Sequence, residues 1–273
     1  AGAPWTVTKQ SWSNDDETAF SEWVQKIGES RCNTVNKCLS GPANYLASSE
    51  EKKTYSFVAD CGRYPFLLRA YFAWKRGLPF SVVSKVASAD GSDRDIRYSP
   101  NGNVPVERRD FLGASDGEKA VKAAASAVFT AVYRMDPGLD SSGAGKPFPD
   151  FYSPKIARDS IRPGTVMYDP SGHAAIVYKV EDNGQVRMTD AHPDSSVSYI
   201  TYDKAFQRSR PGQGAGFKNF RPLNAVDGRV VTNPGLKQGW DAVAESGIIA
   251  STHDEARGGM QLPHVIASAA IGH

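Results

Sequence analysis

One thiol, two imidazoles and a carboxylate carry the chemistry open to this chain. Cys61 lies in Asp60-Cys-Gly-Arg-Tyr-Pro-Phe, just ahead of a helical pattern. His173 opens a strand-like run, and Asp190 and His192 stand two residues apart at the end of the next one. A thiolate is a nucleophile, an imidazole can take its proton and return it to a leaving amine, and a third polar group fixes the imidazole's tautomer and rotamer. Asp190 would do this by accepting an imidazole N–H, and neutral His192 through its free ring nitrogen. The residues alone leave both open.

The same residues admit blander roles. A free cysteine is often a small core residue. Cys61, His173 and His192 could bind zinc, but they include no closely spaced ligand pair. Asp190, Asp194 and Asp203 lack the regular spacing of a calcium loop and read as solvated turn carboxylates. Nothing in the pattern calls for a metal or a cofactor. Asp60 reads as a helix cap. Tyr45 and Tyr55 are read as packing aromatics before substrate or oxyanion contacts, and His253, His264 and His273 as incidental. The Cys61 backbone N–H, at a helix start, is a natural oxyanion donor.

These groups need particular elements to bring them together. Tyr64, Leu67, Leu68, Tyr71 and Phe72 form one apolar face at helical spacing, Pro65 suits the first turn, and Gly77 and Pro79 end the helix. Cys61 is therefore expected at or just before a helix N-terminus, where unpaired N–H groups favour negative charge. Downstream, strands are expected over 165–168, 173–180, 185–192, 197–202 and 216–223. Asn183-Gly184 marks a hairpin turn. A hairpin centred on 182–184 returns 190–192 beside 173, with Ala174, Ile176, Tyr178 and Val180 on the core face and small Ala175 leaving room beside His173.

Elsewhere, a helix is expected from Asn14 to Ile27 and another from Glu118 to Met135. A short helical piece is expected from Tyr45, and tail helices over 236–249 and 260–271. Trp5 and Trp12 are expected to anchor the N-terminal arm. Residues 79–155 read as an insertion, irregular over 79–115 with a hairpin around Asn101-Gly102, and with a loop over 138–150 after the second helix. The organisation expected is one catalytic domain over 1–223 and a C-terminal extension over 224–273.

The 273 residues suffice for one sizeable core. Net charge is +2 with scattered basic residues, which points away from nucleic acid, and no apolar run is long enough for stable membrane insertion. Of three cysteines, Cys32 and Cys38 flank a short polar stretch and are close enough to bridge. A bridge there would imply an oxidising, periplasmic or secreted setting and leave Cys61 as the odd thiol. Three reduced cytosolic thiols are the alternative.

Asp60-Cys61-Gly62 before a helix, Arg162-Pro163-Gly164-Thr-Val-Met-Tyr, His173-Ala-Ala-Ile-Val-Tyr and the return to Asp190-Ala-His192 resemble the NlpC-type cell-wall peptidases and their amidase relatives. The matching stretches are roughly 57–77 and 161–195. The resemblance implies an α+β, papain-like fold, with an antiparallel sheet packed against the helix that carries the nucleophile. It implies Cys61 as nucleophile, His173 as base and His192 as the orienting residue, cutting an amide bond in peptidoglycan stem peptides, in the bacterial cell envelope and without a cofactor. Gly62-Arg63 stands where the family has Ser-Gly, and Thr165 where it has Asp. The Cys-to-His interval holds a large insertion, and the longer hairpin lets Asp190 compete for the third role. A lipid acyltransferase or thioesterase on the same fold, and a non-catalytic envelope-binding module, are the other functions weighed.

Overall fold

The structure is a computed structural model that describes residues 2–92, 95–137, 147–154, 160–203, 205 and 211–232. Helix α1 (Asn14–Glu29) starts at Ser13, whose hydroxyl accepts from the Asp16 N–H while Asp16 returns a bond to the Ser13 N–H. Its stripe of Phe20, Trp23, Val24 and Ile27 is buried. Short helices α2 (Val35–Ser40) and α3 (Ser49–Lys52) follow. The helical piece expected from Tyr45 thus begins later, because Ser48 provides the N-cap that Tyr45 cannot. Helix α4 (Tyr64–Arg76) runs through the core with every residue from Tyr64 to Trp74 buried, and left-handed Gly77 closes it. Trp5 and Trp12 are both buried and donate their indole N–H groups to the carbonyls of Leu78 and Pro79.

Where described, residues 79–115 are more ordered than their composition suggests. Strands β1 (Phe80–Ser88) and β2 (Asn103–Phe111) pair antiparallel, joined by a long connection over 89–102 rather than a tight turn at Asn101-Gly102. Helix α5 (Gly117–Ser126) ends well before Met135, and a 3-10 turn over Thr130–Tyr133 replaces its expected second half. The break falls at β-branched Val128, whose carbonyl accepts from Arg63 Nε instead of continuing a helix. α5 lies close against α4, since a Cβ on Gly117 would come 1.9 Å from Trp74 Nε1.

The remaining strands are β3 (Phe151–Tyr152), β4 (Val166–Asp169), β5 (His173–Val180), β6 (Val186–Ala191), β7 (Val197–Thr201) and β8 (Gly216–Phe220). They form one antiparallel sheet in the order β3-β8-β4-β5-β6-β7. The chain is therefore an α+β fold. A two-stranded hairpin, β9 (Leu223–Val226) with β10 (Arg229–Thr232), spans the 223/224 boundary and is tied back by Trp12 N–H to Leu223 O and Val230 N–H to Asp110. The tail helices, His253, His264, His273 and most of the 138–150 loop lie outside the described residues.

Register in this sheet departs from the simple hairpin. Val180 pairs with Val186 and Lys179 with Arg187, but Val177 pairs with Met188 and Ile176 with Thr189. Tyr178 is the extra residue, a β-bulge. The bulge turns Val180 away from Ala174, Ile176 and Tyr178. It packs instead with Val177, Val186 and Met188, which corrects the expected core face. Tyr178 bulges where α1 crosses the sheet: a Cβ on Gly28 would lie 2.2 Å from its ring.

Candidate active site

A hairpin centred on residue 183 without a bulge would set residue 173 opposite 193, and Asp190 and His192 would then point to the other face of the sheet. The bulge at Tyr178 shifts the pairing by one residue, which inverts that parity. Continued toward the strand ends, the shifted register puts His173 opposite His192 and Ala175 opposite Asp190. The small Ala175 side chain leaves the carboxylate a clear path along the diagonal to His173.

His173 begins β5 after a tight turn, in which the Ser171 and Gly172 N–H groups bond to Asp169 and Gly172 takes a left-handed φ of 106°. Its Nε2 lies 2.6 Å from Asp190 Oδ2. Asp190 is buried, and its Oδ1 accepts from the hydroxyl of Ser198, its direct partner on β7, at 2.6 Å. Ser198 Oγ also lies 2.7 Å from His192 Nε2. His192 is 3.9 Å from Asp190, and its ring stacks 6.3 Å from that of His173. Of the two candidates for the third position, Asp190 is the one in contact with His173. His192 reaches the carboxylate through Ser198.

An ionised carboxylate only accepts, so the contacts of Asp190 fix the protons around it. His173 presents Nε2–H, and Ser198 spends its proton on Asp190, so the Ser198 oxygen accepts from His192 Nε2–H. Nδ1 of His173 is the ring nitrogen left to face Cys61, whose side chain acts on the imidazole. The bond to Asp190 first, and the neighbouring Cys61 side chain second, outweigh burial and raise the His173 pKa to about 10. Burial would raise the Asp190 carboxyl, but its bonds from His173 and Ser198 hold it below the usual carboxylate range.

Cys61 is the one free cysteine, half-buried in the turn that leads into α4. Asp60 caps this turn, accepting from the Arg63 N–H on its side chain and from the Tyr64 N–H on its carbonyl. The Cys61 N–H makes no hydrogen bond among the described residues. Two supports clamp the turn. On one side Tyr133 donates to Gly62 O at 2.7 Å, and Thr130 packs so close that a Cβ on Gly62 would come 2.9 Å from its methyl carbon. Glycine at 62 follows from that contact. On the other side Ser195, in a left-handed conformation, accepts the Ala59 N–H on its Oγ, tying the segment before Cys61 to the turn after His192.

Cys32 and Cys38 form a disulfide. Its loop holds the same turn, through Val35 N–H to Ser195 O and Val197 N–H to Asn33 O. The bridge is compatible with an oxidising compartment. No described helix is long and apolar enough to cross a membrane. Tyr55 is buried, bonding to Tyr71, whereas Tyr45 is exposed. Asp194 and Asp203 accept from Ser196 and Ala205 within their own turns. Among the described residues no three His, Cys, Asp or Glu side chains gather as a metal site.

Sequence reasoning missed Ser198, Ser195 and Tyr133. The first two lie in or beside strands whose partners had not been assigned, and Tyr133 lay in a stretch read as helix. Comparison with protein-family models, curated proteins and solved structures finds no match to this chain.

Proposed function

We propose that the protein is a cysteine hydrolase of papain-like, NlpC-like type that cleaves an amide bond in peptidoglycan stem peptides. The observation that carries this reading is the line Cys61, His173, Asp190, in which an ionised carboxylate holds an imidazole against an otherwise unpaired thiol. His173 Nδ1 takes the thiol proton, and the imidazolium stabilises the thiolate as an ion pair. The sulfur attacks the amide carbonyl, and the Cys61 N–H receives the developing oxyanion. His173 then protonates the leaving amine as the tetrahedral intermediate collapses to a thioester. Water, deprotonated by His173, attacks the thioester; the acid leaves and the thiol recovers its proton. Asp190 keeps Nε2–H in place throughout and does not itself take the proton. The Ser195 and Tyr133 clamps hold the sulfur at a fixed position, as such a reaction demands. An oxidising cell-envelope setting accords with the disulfide.

The test is mass spectrometry of fragments released from purified peptidoglycan by the wild type and by Cys61→Ser. Fragments seen only with the wild type establish a thiol-dependent wall amidase, and their masses name the bond. Fragments from neither protein would overturn the substrate assignment, in favour of an acyl-transfer or binding role.

A further inference from the structure

Lys218 is a charged side chain that the mechanism above does not use. It stands on β8 opposite Val166 of β4 and is 1% exposed. Its Nζ lies among the rings of Phe151, Tyr168 and Tyr133, at 5.0, 5.6 and 5.7 Å from their centroids. Among the described residues no carboxylate bonds to it. Asp136 and Asp150 act on it only through their charge, and Asp150 is engaged by Arg108 and the Val83 N–H. Burial outweighs those two charges and draws the amine down to about 7. An ammonium in such a place opposes folding, and an apolar side chain of similar length would fill the space without that cost. Packing alone does not account for a lysine here.

The lysine closes the end of a turn that supports the thiol. Tyr133 is the last residue of the 3-10 turn, so its carbonyl lacks a partner within the turn, and Lys218 Nζ donates to it from the neighbouring strand. The same tyrosine donates its hydroxyl to Gly62 O at 2.7 Å, one residue beyond Cys61. Its ring is packed against those of Phe66, Phe151 and Tyr168, so a shift of the Tyr133 backbone carries the hydroxyl with it. Tyr168 belongs to the other half of the site. It stacks on Tyr133 at 5.9 Å and precedes Asp169, the residue paired with His173.

We infer that Lys218 is a positioning residue: by holding the Tyr133 carbonyl and lying between the Tyr133 and Tyr168 rings, it sets the thiol turn against the strand pair that carries His173. The inference rests on Cys61 being the reactive thiol of the proposed hydrolase, and it adds a residue that governs that thiol from the far side of the core.

Two uncharged variants of similar shape separate this role from packing. Lys218→Met fills the space and donates nothing, whereas Lys218→Gln keeps an N–H for the Tyr133 carbonyl. The readouts are the urea midpoint and the second-order rate of iodoacetamide alkylation, which reports Cys61 alone while Cys32 and Cys38 are bonded. Lys218→Met should keep the wild-type midpoint yet lose about three- to tenfold in rate, the range of one hydrogen bond, and Lys218→Gln should recover part of that loss. In a Tyr133→Phe background, which lacks the hydroxyl that reaches Gly62, Lys218→Met should change the rate by less than about twofold. A Lys218→Met rate equal to that of the wild type overturns the inference. So does a loss of rate that only follows a lowered midpoint, a Lys218→Gln no faster than Lys218→Met, or a loss undiminished in the Tyr133→Phe background. The hydrolase reading fails separately. A wild-type thiol no more reactive than free cysteine, but slowed further by Lys218→Met, counts against the hydrolase alone, and a fast thiol indifferent to Lys218→Met against the positioning role alone.

Discussion

Asp190 Oδ2 lies 2.6 Å from His173 Nε2, and this contact decides which ring nitrogen carries the proton. Asp190→Asn keeps the shape but can present an amide N–H to the ring, which selects the wrong tautomer. Fragment release from peptidoglycan should fall roughly 10³–10⁴-fold. His192→Ala removes one bond to Ser198, which bears on the sulfur only through Asp190 and His173, and should cost about tenfold or less. The same order is expected in iodoacetamide alkylation of Cys61. If His192→Ala proves the more damaging, His192 rather than Asp190 holds the third role.

Ser198 connects these two residues, and its removal should show in a pH profile more than in folding. Ser198→Ala deletes a 2.6 Å donor to a buried carboxylate, which should raise the Asp190 pKa and weaken its hold on the imidazole. The acidic limb of the rate profile should move to higher pH, while Ser198→Thr, which retains the hydroxyl, should stay close to wild type. An equal loss of rate at every pH would reduce Ser198 to a packing residue.

The His173 environment also predicts a pH dependence of stability. Its folded pKa, about 10, lies above the unfolded value near 6.5. The stabilisation is therefore complete below about pH 6.5, declines above it, and is lost as pH rises through about 10. Asp190 has the opposite sign: its contribution is present above its unfolded value and is lost as pH falls through its depressed folded one. Urea titrations at several pH values should show the stability gap between wild type and His173→Gln closing between pH 6.5 and 10. A gap constant across that range would remove the proposed charge from His173.

The helix carrying the thiol turn, the α1 stripe and the five principal strand segments were legible from periodicity and turn residues, because each is a local pattern. The geometry between them was not. Asp190 and His192 stand two apart on one strand, so their spacing cannot rank them, and the parity that joins either to His173 depends on one bulged residue, Tyr178. That bulge has no local signature in the hairpin. Its trace is Gly28, an isolated glycine within an otherwise helical pattern, and such a residue commonly marks a close packing contact. The insertion was misjudged for a related reason. Its second half read as one continuous helix to Met135, which hid the 3-10 turn whose Thr130 and Tyr133 support the thiol turn from across the core.

The disulfide should matter to activity as well as to stability. A bridge spanning a sequence separation of 6 restricts only a short loop in the unfolded chain, worth about 2 kcal/mol by chain entropy. The loop it closes holds the Ser195 turn through Val35 and Asn33, and Ser195 in turn holds Ala59. Cys32→Ser with Cys38→Ser should lower stability by about that amount in urea, and should also slow Cys61 alkylation under conditions where the protein remains folded. Full alkylation rates in the folded double variant would confine the bridge to a stabilising role.

Gly62 gives the sharpest test of the support beneath the thiol. Serine is the residue of the NlpC-type pattern at this position, and its Cβ would come 2.9 Å from Thr130 Cγ2. Overpacking of this kind costs about 1–3 kcal/mol, so Gly62→Ser should destabilise by that order and displace Cys61 from His173, slowing alkylation. Thr130→Ser removes the offending methyl group while keeping the hydroxyl. The double variant should regain stability and reactivity relative to Gly62→Ser, with a coupling energy of about 1 kcal/mol in the mutant cycle. Purely additive effects would mean that Thr130 does not set the identity of residue 62, and that the glycine answers some other constraint on the turn.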